Sequence, residues 1–398
     1  MKIPATSFQS LTWMLAGLIS IGPLAIDAYL PAMPQIATSL DTSIHHVELT
    51  LSVFLIGFAL GQLFGGPFSD QYGRRLTILS GLGIFALGSL LAALTPSIEI
   101  LWLARVLQAF GGGIGVVNTM AVVRDLYSGR DSARALSRIV SIMLAAPLLA
   151  PFIGSGILLF SNWRGIFALL MLYALALLLV LLRTLPETRQ ASVQVSMHPL
   201  RRYWSVIRHR PTLGFLSATA FSHAGMFAFI TGSALVYMEY YGASPQLFPV
   251  LFGMNILTLV ACNRLNVLFL NHTSPLRLLK IGQAVQLLFG LVLLLSYLLF
   301  ELPLWGLVLM IMLFMGQHGF IMANGISSAV DYFPQSAATA SAVITATGFM
   351  VGAASGTLVG LLGDGSPIPM LAVMAACPML GILLRTLLHR DLQIPPEQ

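Results

Sequence analysis

Charge is scarce in this sequence. Only 9% of its 398 residues are Asp, Glu, Lys or Arg, against 57% that are apolar. A water-soluble chain carries roughly 25% charged residues, and one with so few could not cover its own surface. That scarcity excludes the two or three soluble domains the length alone would allow. Cysteine is scarcer still. Cys262 and Cys377 stand far apart inside apolar stretches, which excludes a disulfide framework or a metal-ligand spacing and leaves two small buried hydrophobes. No GxxxxGK[ST] phosphate loop occurs, which argues against ATP as a fuel. HExxH is absent, and no soluble domain exists to hold a Ser/His/Asp set, so neither an enzyme, a metal site nor a cofactor is expected. Any uphill work then has to draw on an ion gradient. The formal net charge of +6 is dispersed between apolar runs, so no nucleic-acid partner is expected. Nor is a removable signal peptide: one base, Lys2, precedes a first apolar run that is too long and lacks a small-residue cleavage pattern.

What the chain has instead is long apolar runs. A helix needs roughly 20 apolar residues to cross the hydrocarbon core. Helices are predicted over 11–33, 46–67, 77–95, 99–120, 134–160, 163–184, 212–240, 246–263, 276–299, 303–325, 337–361 and 367–388. The expected fold class is an all-α membrane protein in a lipid bilayer. The one long break holds Glu187, Arg189, Arg201, Arg202, Arg208 and Arg210. It divides the chain into six-helix bundles at 1–185 and 212–398, joined by a linker over 186–211. Bases gather on the cytoplasmic side of membrane proteins. With both termini placed there, all but two of the 20 Lys and Arg residues fall on cytoplasmic loops or helix ends. The exceptions are Arg164, which can snorkel at the outer interface beside Trp163, and Arg105, which lies within the fourth span.

Two glycine stripes echo one another: Gly57, Gly61 and Gly65 in the second span, and Gly348, Gly352, Gly356 and Gly360 in the eleventh. A glycine every fourth residue lines one helix face and lets a second backbone approach. Either the stripes are tight packing, or these two helices meet where the halves join and slide there.

Between the second and third spans stands Gly66-Pro67-Phe68-Ser69-Asp70-Gln71-Tyr72-Gly73-Arg74-Arg75. It reads as a tight cytoplasmic turn, with Gly73 permitting the turn and Asp70 placed to face a helix N-terminus. The pattern GxxxDxxGRR resembles the signature loop of the major facilitator superfamily. Arg105-Val106-Leu107-Gln108-Ala109-Phe110-Gly111 is similar to the superfamily's fourth-helix RxxQGxG motif, with Ala109 for glycine. Ala146-Pro147 through Ala150-Pro151 to Gly154-Ser155-Gly156 resembles the fifth-helix motif of drug/proton antiporters, with Ala150 and Ser155 for glycine. Asp27-Ala28-Tyr29-Leu30-Pro31-Ala32-Met33-Pro34 is similar to the DMYLPALP run of bicyclomycin/chloramphenicol-resistance (Bcr/CflA) exporters. Phe221-Ser222-His223-Ala224-Gly225-Met226-Phe227 resembles their seventh helix, with His223 where an aromatic is usual. Trp163-Arg164 and Leu185-Pro186-Glu187-Thr188 fit as well. The repeat of the signature loop after the eighth helix is degraded, at Asn263-Arg264-Leu265-Asn266. The resemblance spans the chain and is strongest over 1–190. It implies a major facilitator fold, with twelve helices in two pseudo-symmetric six-helix bundles. It also implies a monomeric, proton-coupled exporter of small drug-like compounds in a bacterial inner membrane. A transporter dedicated to one metabolite (an amino acid, a polyamine or a siderophore) is the alternative, and a non-transporting receptor or scaffold a remote one.

Asp27 is the one acid expected deep in the membrane. It and Arg105 each stand about seven residues from the outer end of their predicted spans, a depth of roughly 10 Å at 1.5 Å per residue. A lone charge there costs several kcal/mol, so the two are expected either to couple protons and substrate or to form a structural ion pair. Gln108 shares the Arg105 face, and a polar strip could continue to Asn118, which otherwise packs helices. At the cytoplasmic face, an Arg74–Asp125 bridge is expected, with Asp70 facing the start of the eleventh helix, as a gate that resets when the halves rock. Pro147 and Pro151 each remove a helix hydrogen bond, and Gly154 and Gly156 allow close packing; the motif is either an antiport seal or an ordinary kink. Tyr29, Gln108, Asn118, Phe221, Met226, Phe229, Tyr237 and Asn255 are candidate cavity-lining residues. His223 and His318 either relay protons or pack on hydrogen bonds.

Overall fold

The computed structural model describes residues 5–127, 129–189, 199–300, 302–333 and 337–390. Lys2 and the linker segment 190–198 lie outside the described residues. Every regular element described is helical. Twelve helical segments are long and apolar enough to cross a membrane. The chain divides into two compact units, Met1–Ser196 and Met197–Gln398.

In the first unit, α1 (Ala5–Asp27), a 3-10 turn (Leu30–Ala32) and α2 (Met33–Ser39) make up the first span. There follow α3 (Ile44–Tyr72), α4 (Arg74–Leu94), α5 (Ile98–Leu126), α6 (Gly129–Phe160) and α7 (Arg164–Thr184). The second unit opens with a short helix, α8 (Pro199–Arg208). Then come α9 (Arg210–Ala234), which ends in a π-helical turn (Leu235–Tyr240), α10 (Phe248–Phe269), α11 (Pro275–Phe300), α12 (Leu304–Val330), α13 (Ala337–Leu361) and α14 (Ile368–His389). Side chains such as Leu103, Phe160 and Leu299 are at least 71% exposed. Such surfaces face acyl chains in a membrane protein and would aggregate in water.

Four elements differ from the sequence expectation. The first span is not one helix over 11–33. It breaks after Asp27 and resumes as far as Ser39. Pro31 and Pro34 lack the amide protons that would reach the Asp27 and Leu30 carbonyls, so the helix ends where the first of those bonds is missing. This puts Asp27 farther from the C-terminal end of its span than the sequence predicts. The second span runs to Tyr72 rather than 67, straight through Gly66 and Pro67. The signature segment is therefore two more turns of helix, and the turn proper is a single residue, Gly73, with φ +99°. The eighth span extends past 263 to Phe269, so Asn263–Asn266 is helix and not a loop. Finally, the linker contains α8.

The glycine stripes pack inside their own units. A Cβ on Gly57 would lie 2.6 Å from the Val106 carbonyl oxygen, one on Gly61 would overlap the Phe110 carbonyl, and one on Gly65 would lie 2.8 Å from Ile114 Cα. The stripe of α3 is thus the seat of α5. On α13, a Cβ at Gly352 would meet the Phe227 ring at 2.7 Å, whereas one at Gly348 would keep an ordinary 3.5 Å from His223. That face seats α9. At these glycines the packing is within a unit, α3 on α5 and α13 on α9.

Candidate functional site

Arg105, on α5, is fully buried. Its guanidinium carbon lies 4.2 Å from the Phe54 ring centroid, 4.5 Å from that of Tyr29 and 5.7 Å from that of Phe167. Its Nη1 donates to Gln108 Oε1 at 2.6 Å. Gln108 Nε2 in turn donates to Ser89 Oγ at 2.8 Å, and Ser89 donates to the Phe85 carbonyl at 2.8 Å. This relay joins α5 to α4, and Gly88 makes it fit, since any Cβ there would strike the Gln108 backbone. An arginine at a membrane helix centre costs about 2.5–3.5 kcal/mol on insertion scales. A desolvated cation–π contact returns about 2 kcal/mol, so the two nearer rings offset much of that cost, while Nε and Nη2 keep no hydrogen-bond partner.

No ion pair within 4 Å joins Asp27 to Arg105. Asp27 is 4% exposed, and its Oδ1 has no hydrogen-bond partner. It is the last residue of α1, so its carboxylate stands at the carbonyl end of a helix. Two residues on, the Tyr29 hydroxyl lies 3.0 Å from Thr50 Oγ1, which itself donates to the Val47 carbonyl at 2.6 Å. Tyr29 therefore donates to Thr50 while its ring faces Arg105.

The fifth-helix motif lies against this break. Gly154, on α6, has no room for a side chain because a Cβ would overlap the Ala28 carbonyl, the first peptide after Asp27. Pro147 and Pro151 stand within an unbroken α6. Gly156 faces open space, with nothing within 4 Å of a Cβ, so close packing rests on Gly154. Asn118 donates to the Ile114 carbonyl at 2.8 Å and reaches the Gly65 carbonyl at 3.4 Å. It ties α5 to α3, while Gln108 serves α4.

At the other end of α3, Arg74 Nη1 donates to Asp70 Oδ1 at 2.7 Å and to Ser69 Oγ at 2.8 Å, and its Nε lies 3.3 Å from Asp125 Oδ2. Glu187 accepts from the Arg74 and Arg75 amides at 2.9 and 3.2 Å and so caps α4. Gly73 is needed twice over: its φ favours glycine, and a Cβ would run into the Glu187 carboxylate. Arg75 Nη2 donates to the Leu182 carbonyl at 2.6 Å, and Arg189 Nη1 to the Gln71 carbonyl at 2.6 Å. Partial burial pushes the Glu187 carboxyl up. The backbone donors of Arg189, Arg74, Arg75 and Thr188 outweigh that and hold it below the usual carboxylate range.

In the second unit, Phe221 and Met226 are half-buried on α9. Phe229 and Tyr237 are completely buried: Phe229 stacks on Phe252 at 5.7 Å, and Tyr237 meets Phe248 edge-on at 6.2 Å. Asn255 is also buried and donates to the Leu251 carbonyl at 2.9 Å. The His223 and His318 rings are 5.2 Å apart, and His318 Nδ1 lies 3.0 Å from Ser222 Oγ.

Sequence reasoning missed three participants. Phe54 is one phenylalanine among 23, and nothing local marks it. Glu48 is a second buried acid, 3.1 Å from His45 Nδ1; an acid at the third residue of a predicted span was visible. Arg385, 6% exposed, donates Nε to Gln283 Oε1 at 2.6 Å.

The profile of the Major Facilitator Superfamily matches residues 14–357. The chain is 34% identical over 371 residues to a bicyclomycin resistance protein homolog of Haemophilus influenzae, covering 92% of this chain and 93% of that one. It is 28% identical over 369 residues to multidrug resistance protein MdtL of Citrobacter koseri, covering 92% and 93%. Its fold resembles that of the xylose transporter XylE of E. coli, with a TM-score of 0.75 at 12% identity over 99% of this chain and 100% of that one. Twelve spans in two units, a buried arginine on α5 and the matched profile lead to one conclusion: the chain belongs to the major facilitator superfamily, as a multi-pass secondary transporter of small molecules related to drug-resistance proteins, and not an enzyme.

Proposed function

We propose that this transporter exports small amphipathic drugs or toxic compounds across a bacterial inner membrane in exchange for protons. It works as a monomer by alternating access, with both termini in the cytoplasm. The observation that carries the reading is Asp27, a buried carboxylate with an unpartnered oxygen at a helix end. An ionised group so placed is relieved by a proton or by a cationic ligand, and competition between the two is the simplest form of exchange. Arg105 supplies a second buried charge in the same unit. The names of the relatives, in bicyclomycin and multidrug resistance, favour drugs over a single metabolite. Half-buried Phe221 and Met226 offer soft apolar contacts of the kind that accept varied shapes. Tyr29, Gln108 and Asn118 add hydrogen bonds, while Phe229, Tyr237 and Asn255 reach a substrate only if α9 and α10 rearrange.

The test is drug-driven proton movement in proteoliposomes, wild type beside Asp27→Asn. Wild type moves protons when a drug gradient is imposed, and the variant does not. Full coupling in the variant sinks the proton role of Asp27. A competition panel decides the substrate class: many unrelated competitors support drug export, and a single tight competitor supports a metabolite carrier. The Asp70–Arg74–Asp125 cluster is proposed as the gate that resets at the cytoplasmic end. If Asp70→Asn transports at the wild-type rate, that cluster sets the turn and gates nothing.

A further inference from the structure

The helix that the sequence hides in the linker has two unlike sides. Tyr203 and Val206, three residues apart, turn inward. Val206 is fully buried among Phe215, Leu279, Val343 and Ile344, and Tyr203 packs against the same cluster. This docks α8 on α9 and α13. Arg201, Trp204 and Arg208 follow at spacings of three and four and so share the opposite face. All three are exposed, Trp204 by 57%, and the Arg208 guanidinium lies 5.2 Å from the Trp204 ring centroid. No carboxylate within 4 Å pairs with Arg201 or Arg208 among the described residues.

Chain continuity fixes the height of this face. α8 ends at Arg208 and the seventh span begins at Arg210. The helix therefore rests where the chain enters the bilayer, at the level of the headgroups. Tryptophan concentrates at that level. Arginine presents a planar fork that matches a phosphate. A base–aromatic–base stripe there fits a phosphodiester between the two guanidinium groups and the upper acyl chain against the indole. A soluble anion would leave Trp204 and the neighbouring Ile207, 45% exposed, without an apolar partner.

We propose that the Arg201–Trp204–Arg208 face of α8 binds anionic phospholipid headgroups, and so anchors the linker to the leaflet at the start of the seventh span. The proposal is independent of the drug and proton reading, since it rests on the linker helix alone.

Full-length protein in zwitterionic nanodiscs doped with an equal fraction of brominated phosphatidylglycerol or brominated phosphatidylcholine provides the test. Bromine quenches indole only on contact. The chain has five tryptophans, so the Trp204 share is wild-type quenching minus that of Trp204→Phe. The expected result is preferential quenching of Trp204 by the anionic lipid, with the preference falling roughly fivefold for each arginine removed in Arg201→Gln and Arg208→Gln. Equal quenching of wild type by the two lipids overturns the proposal without recourse to any variant. So does a preference that survives the double substitution. Loss of the preference when inorganic phosphate is added at constant ionic strength would reassign the site to free phosphate and also overturn it.

Discussion

Among the described residues each unit buries one arginine, and each holds it on a glutamine oxygen at 2.6 Å: Arg105 on Gln108 and Arg385 on Gln283. The likeness ends there. Arg105 lies well inside α5, with three aromatic rings around it, whereas Arg385 lies four residues from the end of α14, within a side chain's reach of water. The first unit also contains Asp27 and Glu48 among its buried groups. In the second, the other buried polar groups among the described residues are neutral in their ordinary state, such as Asn266 and Asn324 at 2.7 Å and the Ser222–His318 pair at 3.0 Å. On the proposed reading, the difference puts the chemistry in the first unit. A charge that cannot reach water has to be kept by the structure around it, and that structure is concentrated in the first unit.

The largest effect should come from exchanging the two arginines for lysine. A compact ammonium cannot lie flat against aromatic rings as a guanidinium does. Arg105→Lys is therefore expected to lower flux in proteoliposomes by about 100-fold, close to Arg105→Ala, a loss in the range of removing a positioned electrostatic group. Arg385→Lys is expected to stay within about threefold of wild type, because its ammonium can snorkel. Equal losses at both positions would erase the distinction between the units.

The glycines test the same contrast through packing. Gly61→Ala forces a methyl group into the Phe110 carbonyl, backbone against backbone, and is expected to cost about 3 kcal/mol, the upper end for overpacking. Gly348→Ala adds a methyl group at an ordinary 3.5 Å from His223, so its cost should stay within about 0.5 kcal/mol. Thermal unfolding in detergent compares the two. A marked loss at Gly348 would mean that α9 and α13 sit closer than they do in this structure.

Much of this was legible in the sequence. Twelve apolar runs give twelve spans, because length against the bilayer is a strong constraint that needs no tertiary knowledge. The misses share a cause: breakers were read locally. Gly66 and Pro67 read as a turn, but a membrane helix tolerates one missing bond when neighbours pack around it. Pro31 and Pro34 did carry the break after Asp27, and their upstream carbonyls could have been counted. In α8, Tyr203 and Val206 held a helical spacing that the surrounding bases masked. The partners of Arg105 were not legible. Depth matched it to Asp27, yet the side chain chose rings supplied by three other segments, and no spacing along the chain announces that choice.

Glu187 caps α4 from more than a hundred residues away. Its removal in Glu187→Ala should cost about 1 kcal/mol at pH 7, the usual worth of a cap. The pH dependence has a definite sign. The folded carboxyl is held below the unfolded value of about 4.3, so its contribution is complete above that pH. It fades as pH falls through the depressed folded value. The difference in unfolding temperature between wild type and Glu187→Gln should shrink across that window. A constant difference would show that Glu187 acts through shape and not through charge.

The smallest expected effect is in the second unit. His223 meets His318, Phe227 and Phe349 at 5.1–5.2 Å between ring centroids, and neither of its ring nitrogens has a hydrogen-bond partner. It is placed as an aromatic ring would be. His223→Phe should keep the ring contacts, remove two buried polar atoms left without bonds, and change transport by no more than about twofold, with stability equal or slightly higher. Proton coupling should be unchanged, because on this reading the proton is handled at Asp27. If His223→Phe transports drug but no longer moves protons, the second unit holds a titrating group of its own, and the division of labour between the two units fails at the pair His223–His318.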